Sequence, residues 1–133
     1  MIHLDTSFLV DLQREADDEP RPASAFLAER PTEPLGISVH ALCELEAGVR
    51  LARHPERERQ RLRSLIAGMA VVYPDDRFAA SYARTYVALE RRGKRMPTMD
   101  LLIAVAALID RASLATRNAK DFASVPDLQV LSY

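Results

Sequence analysis

The feature that most constrains the fold is the alternation of short apolar runs with longer segments of helical periodicity. Runs typical of strands lie at residues 1–4, 35–37, 70–73, 113–116 and 128–131. Segments typical of helices begin near Thr6, Ala23, Ser38, Pro55, Pro74, Thr98 and Asn118. Hydroxyl groups predicted to cap these helices are those of Thr6, Ser7, Ser38 and Thr98. Strands that alternate with helices usually pair in parallel, with helices covering both faces of the sheet. The sequence therefore predicts an α/β domain around a parallel sheet of about five strands.

The longest apolar run, Leu101–Ile109, is apolar on nearly every side, which predicts a helix that lies deep against the sheet. It is far shorter than the roughly 20 residues of a membrane span. The acidic Asp5 near the N-terminus is unlike the basic start of a signal peptide. An acidic, proline-containing stretch, Asp17 to Pro22, predicts a break between the first two helices. We expect a cytoplasmic protein without a membrane segment.

Length and composition predict one globular domain. The 133 residues match a typical domain, so we expect residues 1–133 to form a single unit. The formal net charge of -1 argues against non-specific coating of DNA and leaves a local basic rim open. The single cysteine, Cys43, excludes an internal disulfide, and its apolar neighbours predict a small buried side chain rather than a nucleophile.

Four acidic residues are predicted to face one edge of the sheet, where parallel α/β proteins bind their ligands. They are Asp5, Glu44, Asp100 and Asp121. Each also has a plain structural interpretation, as a helix cap, an exposed side chain or a partner of a helix dipole. Close together, however, they would repel one another unless a divalent cation neutralised them, and oxygen ligands suit Mg²⁺ or Mn²⁺. The chemistry that follows is metal-assisted attack of water on a phosphodiester.

Four short motifs carry a family resemblance. They are Met-Ile-His-Leu-Asp-Thr-Ser at 1–7, Leu-Cys-Glu-Leu at 42–45, Pro-Thr-Met-Asp-Leu-Leu-Ile-Ala at 97–104 and Thr-Arg-Asn-Ala-Lys-Asp-Phe at 116–122. Together, and in this order, they resemble a PIN-domain ribonuclease, most closely the VapC-type toxins of bacterial toxin–antitoxin pairs. The resemblance implies a three-layer α/β/α PIN-like domain with a central, mainly parallel five-stranded sheet.

The resemblance also implies an endoribonuclease that depends on Mg²⁺, with Mn²⁺ as a substitute. Asp5, Glu44, Asp100 and Asp121 are then the catalytic acids, and Asp5 and Asp100 hold the metal directly. Glu44 and Asp121 orient or deprotonate the attacking water, and the cut leaves a 5′-phosphate and a 3′-hydroxyl. The supporting polar residues would be Thr6, Thr116 and Asn118. Whether Asn118 or Asp121 completes the acidic site stays open; we favour Asp121 for charge and Asn118 for support.

The implied partners are an RNA substrate, a cognate antitoxin protein and a second copy of the chain. Basic residues near the acidic motifs are candidates for holding RNA phosphates. They are Arg91, Arg92, Lys94, Arg95, Arg117 and Lys120. The apolar residues of Phe8–Leu12 and Ala41–Leu51 are candidates for a homodimer interface.

Two other functional classes fit parts of the pattern. A phosphatase of the haloacid-dehalogenase type would need a second aspartate where this chain has Ser7. A phosphate-receiver domain would need a lysine after the last strand, where this chain has Ser132 and Tyr133. A catalytically silent PIN-like module that binds RNA or protein is the remaining alternative. It would bind RNA without metal-dependent cleavage.

Overall fold

The computed structural model describes residues 1–15 and 22–133, so the break predicted from Asp17 lies largely outside the described residues. The strands are β1 (Ile2–Leu4), β2 (Leu35–Ser38), β3 (Ala70–Val72), β4 (Ser113–Ala115) and β5 (Val130–Leu131). The helices are α1 (Thr6–Glu15), α2 (Pro22–Ala28), α3 (Val39–Leu51), α4 (Pro55–Ile66), α5 (Phe78–Arg91), α6 (Thr98–Ile109) and α7 (Ala119–Phe122).

The five strands form one parallel sheet in the order β3-β2-β1-β4-β5. In the register, Ile2 of β1 lies between Leu35 of β2 and Ser113 of β4. All three residues of β1 are buried, as expected for a central parallel strand covered on both faces. The predicted α/β class with a five-stranded parallel sheet is confirmed. The carboxyl end of β1 therefore lies at the middle of the sheet edge.

The core is built around the sheet and α6. Ile103, Ala104 and Ala107 of α6 pack in the main apolar cluster with β1 and β4, while Leu101 and Val105 pack against α5. The deep position predicted for this helix is confirmed. No helix in the described residues is long and apolar enough to cross a bilayer.

Two helix starts differ from the sequence-based expectation. The segment after Pro74 becomes helical only at Phe78, because Asp75 Oδ1 accepts the backbone N–H of Arg77 at 2.8 Å. A side chain that bonds to the nearby backbone competes with the helix in this way. Thr98 is the first residue of α6 and not its cap; Pro97, in an extended conformation, precedes it. Ser38 caps α3 as expected, accepting the N–H of Ala41 at 3.1 Å.

The prediction that Cys43 is buried is wrong. Helix α3 buries Ala41, Leu45 and Val49, which recur every four residues and define its inner face. Cys43 lies off this face and is exposed. Apolar neighbours in the sequence therefore misled the prediction, since residues two positions apart do not share a helix face.

Candidate active site

Asp5 occupies the central position of the candidate site. It directly follows β1, precedes the first turn of α1, and is only 4% exposed. Its Oδ2 atom accepts hydrogen bonds from Ser7 Oγ at 2.8 Å and Thr116 Oγ1 at 2.7 Å. Within the described residues, both side-chain hydrogen bonds to Asp5 come from hydroxyl groups, so its carboxylate is not used to cap α1.

The two hydroxyls are themselves held by the backbone that follows β4. Ser7 Oγ accepts the N–H of Arg117 at 3.2 Å, and Thr116 Oγ1 accepts the N–H of Asn118 at 3.1 Å. The two hydroxyl oxygens lie 3.2 Å apart. Because Thr116 is fully buried, this network joins the ends of the adjacent strands β1 and β4 in a protected position.

Glu44 lies on α3, the helix that follows β2, and its side chain is exposed. Its Oε1 atom accepts a hydrogen bond from Thr6 Oγ1 at 2.8 Å. This donor lies 38 positions away in the chain, so only the fold brings it to Glu44. Thr6 thus supports a carboxylate, but that carboxylate is Glu44 and not the adjacent Asp5.

Asp100 lies in the first turn of α6 and is half-buried. Burial raises the pKa of its carboxyl group, and the negative charges of Asp5, Glu44 and Asp121 raise it further. Each of the other three candidate acids therefore lies near enough to Asp100 to disfavour its ionised form. The structure brings the four predicted acids into one electrostatic neighbourhood.

Asp121 and Asn118 differ in what they contribute locally. Asp121 lies in α7, is exposed, and donates its backbone N–H to the carbonyl of Asn118 at 2.9 Å. The Asn118 side chain makes no capping hydrogen bond to α7 in the described residues. Asn118 contributes instead through its backbone N–H, which bonds to Thr116. Asp121 adds negative charge near Asp100.

The donor chemistry fits a hard divalent cation. The four side chains offer only carboxylate oxygens, and the described hydrogen bonds to Asp5 leave Oδ1 open. In the described residues, no group of three or more His, Cys, Asp or Glu side chains is close enough together to hold a metal ion by itself. Mg²⁺ is commonly held by one or two carboxylates with water and substrate phosphate as its other ligands. The arrangement therefore fits an open site better than a structural one.

The candidate RNA-binding residues fall into two groups, all exposed to solvent. Arg91, Arg92, Lys94 and Arg95 end α5 and lead into α6. Lys94 and Arg95 line a cleft of about 330 Å³ together with Tyr86 and Leu101. This first group thus lies on the segment that immediately precedes Asp100.

The second group, Arg117 and Lys120, follows β4. The Arg117 guanidinium bonds to Asp11 Oδ1 at 2.7 Å. Asp11 also accepts a hydrogen bond from the Tyr133 hydroxyl at 2.8 Å. The positive charge of Arg117 is therefore paired in this conformation, whereas Lys120 extends into solvent without an ion-pair partner among the described residues.

Sequence reasoning missed the site roles of Ser7 and Asp11. Ser7 was noted as a possible helix cap, and Asp11 was not singled out. Their partners, Thr116 and Arg117, lie 109 and 106 positions away. The hint available in the sequence was the hydroxyl-rich stretch directly after Asp5, which places a donor two residues from the carboxylate.

Comparison with known families decides the classification of this fold and site. Residues 2–128 match the family model described as PIN domain. The chain belongs to the PIN domain family. The resemblance inferred from the four short motifs is thereby confirmed.

Named relatives of this PIN domain are similar along almost their whole length. Ribonuclease VapC2 of Rickettsia felis is 28% identical over 125 residues, which cover 94% of this chain and 92% of the relative. Ribonuclease VapC1 of Haemophilus influenzae is 29% identical over 131 residues, with 95% and 92% coverage.

Solved structures show the same PIN fold. The crystal structure of VapBC2 from Rickettsia felis, bound to a DNA fragment from its promoter, aligns with a TM-score of 0.91 and 25% identity over 100% of this chain and 99% of that one. VapBC-1 from nontypeable Haemophilus influenzae aligns with a TM-score of 0.83 and 28% identity, covering 99% and 98%. VapBC-5 from Mycobacterium tuberculosis, described as a member of a toxin–antitoxin family, aligns at 0.70 and 27%, covering 98% and 97%.

Proposed function

We propose that this PIN domain is a metal-dependent endoribonuclease that acts as the toxin of a toxin–antitoxin pair. The observation that carries the proposal is the placement of Asp5, at the carboxyl end of the central strand, with Asp100, Glu44 and Asp121 near it. Burial raises the pKa of the Asp100 carboxyl group, and the charges of the other three carboxylates raise it further. Neighbouring like charges repel one another, a bound divalent cation would relieve that repulsion, and such clusters are typical of functional sites. The relatives named Ribonuclease VapC support RNA as the substrate.

A divalent cation, Mg²⁺ or Mn²⁺, would be held by Asp5 and Asp100, where it would lower the pKa of water and neutralise charge on the phosphoryl oxygens. Asp5 is suited to this because hydroxyl donors fix one carboxylate oxygen and leave the other open. Asp100 is suited to it because its ionised form gains from any nearby positive charge.

Glu44 and Asp121 are assigned to the attacking water. Both are exposed, so solvent and substrate reach them directly. Glu44 keeps its Oε2 atom for a water molecule, since Thr6 donates to Oε1. A carboxylate positioned in this way accepts a proton from water as the phosphodiester bond is attacked. The expected products carry a 5′-phosphate and a 3′-hydroxyl.

The RNA backbone is assigned to the basic segment that precedes α6 and to Lys120, which directly precedes Asp121 in α7. Arg91, Lys94 and Arg95 are exposed and have no ion-pair partner among the described residues, so their charge is available to phosphate groups. Arg92 donates to the Ser124 carbonyl at 3.2 Å. Arg117 would have to exchange Asp11 for a phosphate.

The proposed protein partners are a small antitoxin and a second copy of the chain. The similar VapBC structures support an antitoxin, and one of those proteins is described as part of a toxin–antitoxin system. Phe8 lies inside the protein's own core, which removes it from a dimer interface. Leu51, at the end of α3, is 87% exposed and stays a candidate for that interface.

The decisive experiment is cleavage of a mixed RNA pool by the purified protein with Mg²⁺, with Mn²⁺ and with EDTA. Asp5→Asn keeps the shape of the side chain but removes its charge, and we expect it to abolish the cleavage seen with either metal. Asp76→Asn, at an exposed aspartate between β3 and α5, is the matched control and should cleave like the wild type.

A catalytically silent module that only binds RNA is the competing function. It predicts a normal RNA-binding curve and no metal-dependent products from a folded protein that carries no copurified inhibitor. Cleavage that persists in EDTA or in the Asp5→Asn variant would contradict the proposed mechanism. The RNA fragments from a positive result would be sequenced from their ends, which identifies the target and the cleavage position.

A further inference from the structure

The hydroxyl network at Asp5 has a fixed direction that follows from counting hydrogens. A serine or threonine hydroxyl has one hydrogen to donate and two lone pairs to accept with. Ser7 and Thr116 each donate that hydrogen to Asp5 Oδ2, at 2.8 and 2.7 Å. Neither hydroxyl then has a hydrogen left for the other, so the 3.2 Å contact between their oxygens does not hold the network together.

The accepting side of each hydroxyl is occupied by a backbone amide. Arg117 N–H donates to Ser7 Oγ at 3.2 Å, and Asn118 N–H donates to Thr116 Oγ1 at 3.1 Å. Each hydroxyl therefore accepts from a backbone N–H and donates to the carboxylate. Hydrogen bonds arranged in such a chain polarise one another, so both amides strengthen the hold on Asp5.

We infer that Ser7 is a positioning residue for Asp5, a role that rests on the proposed metal-dependent function. Ser7 and Thr116 fix Oδ2 from two sides, which sets the orientation of the carboxylate and presents Oδ1 to the cation. Thr116 directly follows β4, whereas Ser7 lies in the first turn of α1. Ser7 also connects Asp5 to the backbone of Arg117, in the segment that leads to α7 and its Asp121.

Ser7→Ala tests the inference, because alanine removes the hydroxyl and is well tolerated in a helix. A hydrogen bond to a charged group typically changes an equilibrium by about tenfold or more. We expect the Kd for Mn²⁺ alone, measured by electron paramagnetic resonance, to rise about tenfold. We expect kcat for RNA cleavage to fall by about tenfold, with KM for RNA within about twofold of the wild type.

Two further variants make the test specific. Ser7→Thr keeps the hydroxyl and should restore both Mn²⁺ affinity and kcat to within about threefold of the wild type. Ser113→Ala is the matched control, because it removes a half-buried serine hydroxyl, bonded to Gln129 at 2.9 Å, from the opposite end of β4. It should leave Mn²⁺ affinity and kcat unchanged. Melting temperatures and circular dichroism spectra are compared for all variants.

Wild-type Mn²⁺ affinity in Ser7→Ala would overturn the inference, as would a Ser7→Thr protein that is as defective as Ser7→Ala. An equal loss in Ser113→Ala would also overturn it, since the effect would then be a general loss of packing. The proposed function fails separately, if the wild type cleaves no RNA. In that case the Mn²⁺ titrations still decide the role of Ser7, because they need no substrate.

Discussion

At the scale of single residues, Asp100 combines an unfavourable environment with an assigned role in cation binding. Its ionised form is opposed by burial and by three neighbouring carboxylates. Asp100→Asn removes that charge with little change in shape. We expect RNA cleavage to be abolished and the melting temperature at pH 7 to be equal to or higher than that of the wild type.

The pH dependence of this variant has a definite sign. A carboxyl group whose pKa is raised by folding binds its proton more readily in the folded state, so it stabilises the protein as the pH falls. The difference in melting temperature between Asp100→Asn and the wild type should therefore narrow as the pH is lowered toward the ordinary value of 3.8. A lower melting temperature for the variant at pH 7 would contradict this reading of the site.

His3 predicts an opposite pH effect at a different place in the sheet. It is buried in β1, its Nε2 atom lies 2.7 Å from Asp110 Oδ2, and its Nδ1 atom has no hydrogen-bond partner in the described residues. Burial lowers its pKa, although Asp110 acts in the other direction. The folded state thus favours neutral His3, and the stability it contributes is lost as the pH falls below about 6.5.

This effect is measured by thermal unfolding between pH 7.5 and 5. The wild type should lose stability over this range, and His3→Gln should lose less, because glutamine keeps a donor for Asp110 without titrating. His40 contributes in the same direction, since burial also lowers its pKa. Exposed His54 is the control, and His54→Gln should follow the wild-type curve. Identical curves for wild type and His3→Gln would refute the prediction.

The individual acids were predictable from the sequence because their positions depend on local structure. Asp5 follows the end of a strand, and Asp100 lies in the first turn of a helix. Each of these features is visible in a short window of the sequence. The roles of Ser7 and Asp11 were not predictable, because their partners come from the segment after β4. The partner of a hydroxyl is decided by tertiary structure, and a single sequence does not specify which strand ends become neighbours.

At the scale of elements, two glycines make a matched pair with opposite predicted effects. Gly36 is buried in β2, where an added Cβ would lie 3.0 Å from the His3 ring and 3.2 Å from the sulfur of Met1. Gly48 lies in α3, and an added Cβ there would meet nothing within 4 Å. Gly36→Ala should lower the free energy of unfolding by about 1–3 kcal/mol through overpacking.

Gly48→Ala should raise the free energy of unfolding by up to about 1 kcal/mol, because alanine is the better helix former. Urea denaturation with unchanged slopes measures both effects. A stabilising Gly36→Ala would mean that the neighbouring Met1 side chain moves aside at little cost. A destabilising Gly48→Ala would show that another molecule packs against this face of α3.

The order of the helices and strands was predictable from apolar periodicity, whereas their exact ends were not. Each predicted strand and helix has a counterpart in the described residues. The reason is that the spacing of apolar residues, which decides what faces the core, can be seen within each segment. Helix α5 starts later than expected because the Asp75 side chain bonds to the Arg77 backbone N–H and so competes with the helix for it. The burial of Cys43 was also predicted wrongly, although the helix that carries it was predicted correctly.

At the scale of the whole molecule, the acidic neighbourhood predicts stabilisation by divalent cations. An ion that binds the folded state alone stabilises it by about 2.7 kcal/mol at a hundredfold excess over its Kd. Mg²⁺ or Mn²⁺ should therefore raise the melting temperature of the wild type. Asp5→Asn combined with Asp100→Asn should remove that rise, whereas Asp76→Asn should keep it. An equal rise in all three proteins would place the ion elsewhere.

The strand order has a consequence for the timing of protein synthesis. Strand β1 is made first, but its neighbour β4 is made last but one, so the ends of the chain meet only when nearly all of it exists. Ribosomes add about 5 to 20 residues per second, and the stretch from Asp5 to Asp121 then takes about 6 to 23 seconds to complete. Throughout that interval a nascent or prematurely terminated chain lacks the Thr116 partner of Asp5. An unfinished chain of the proposed toxin also lacks Asp121, so we expect it not to cleave RNA.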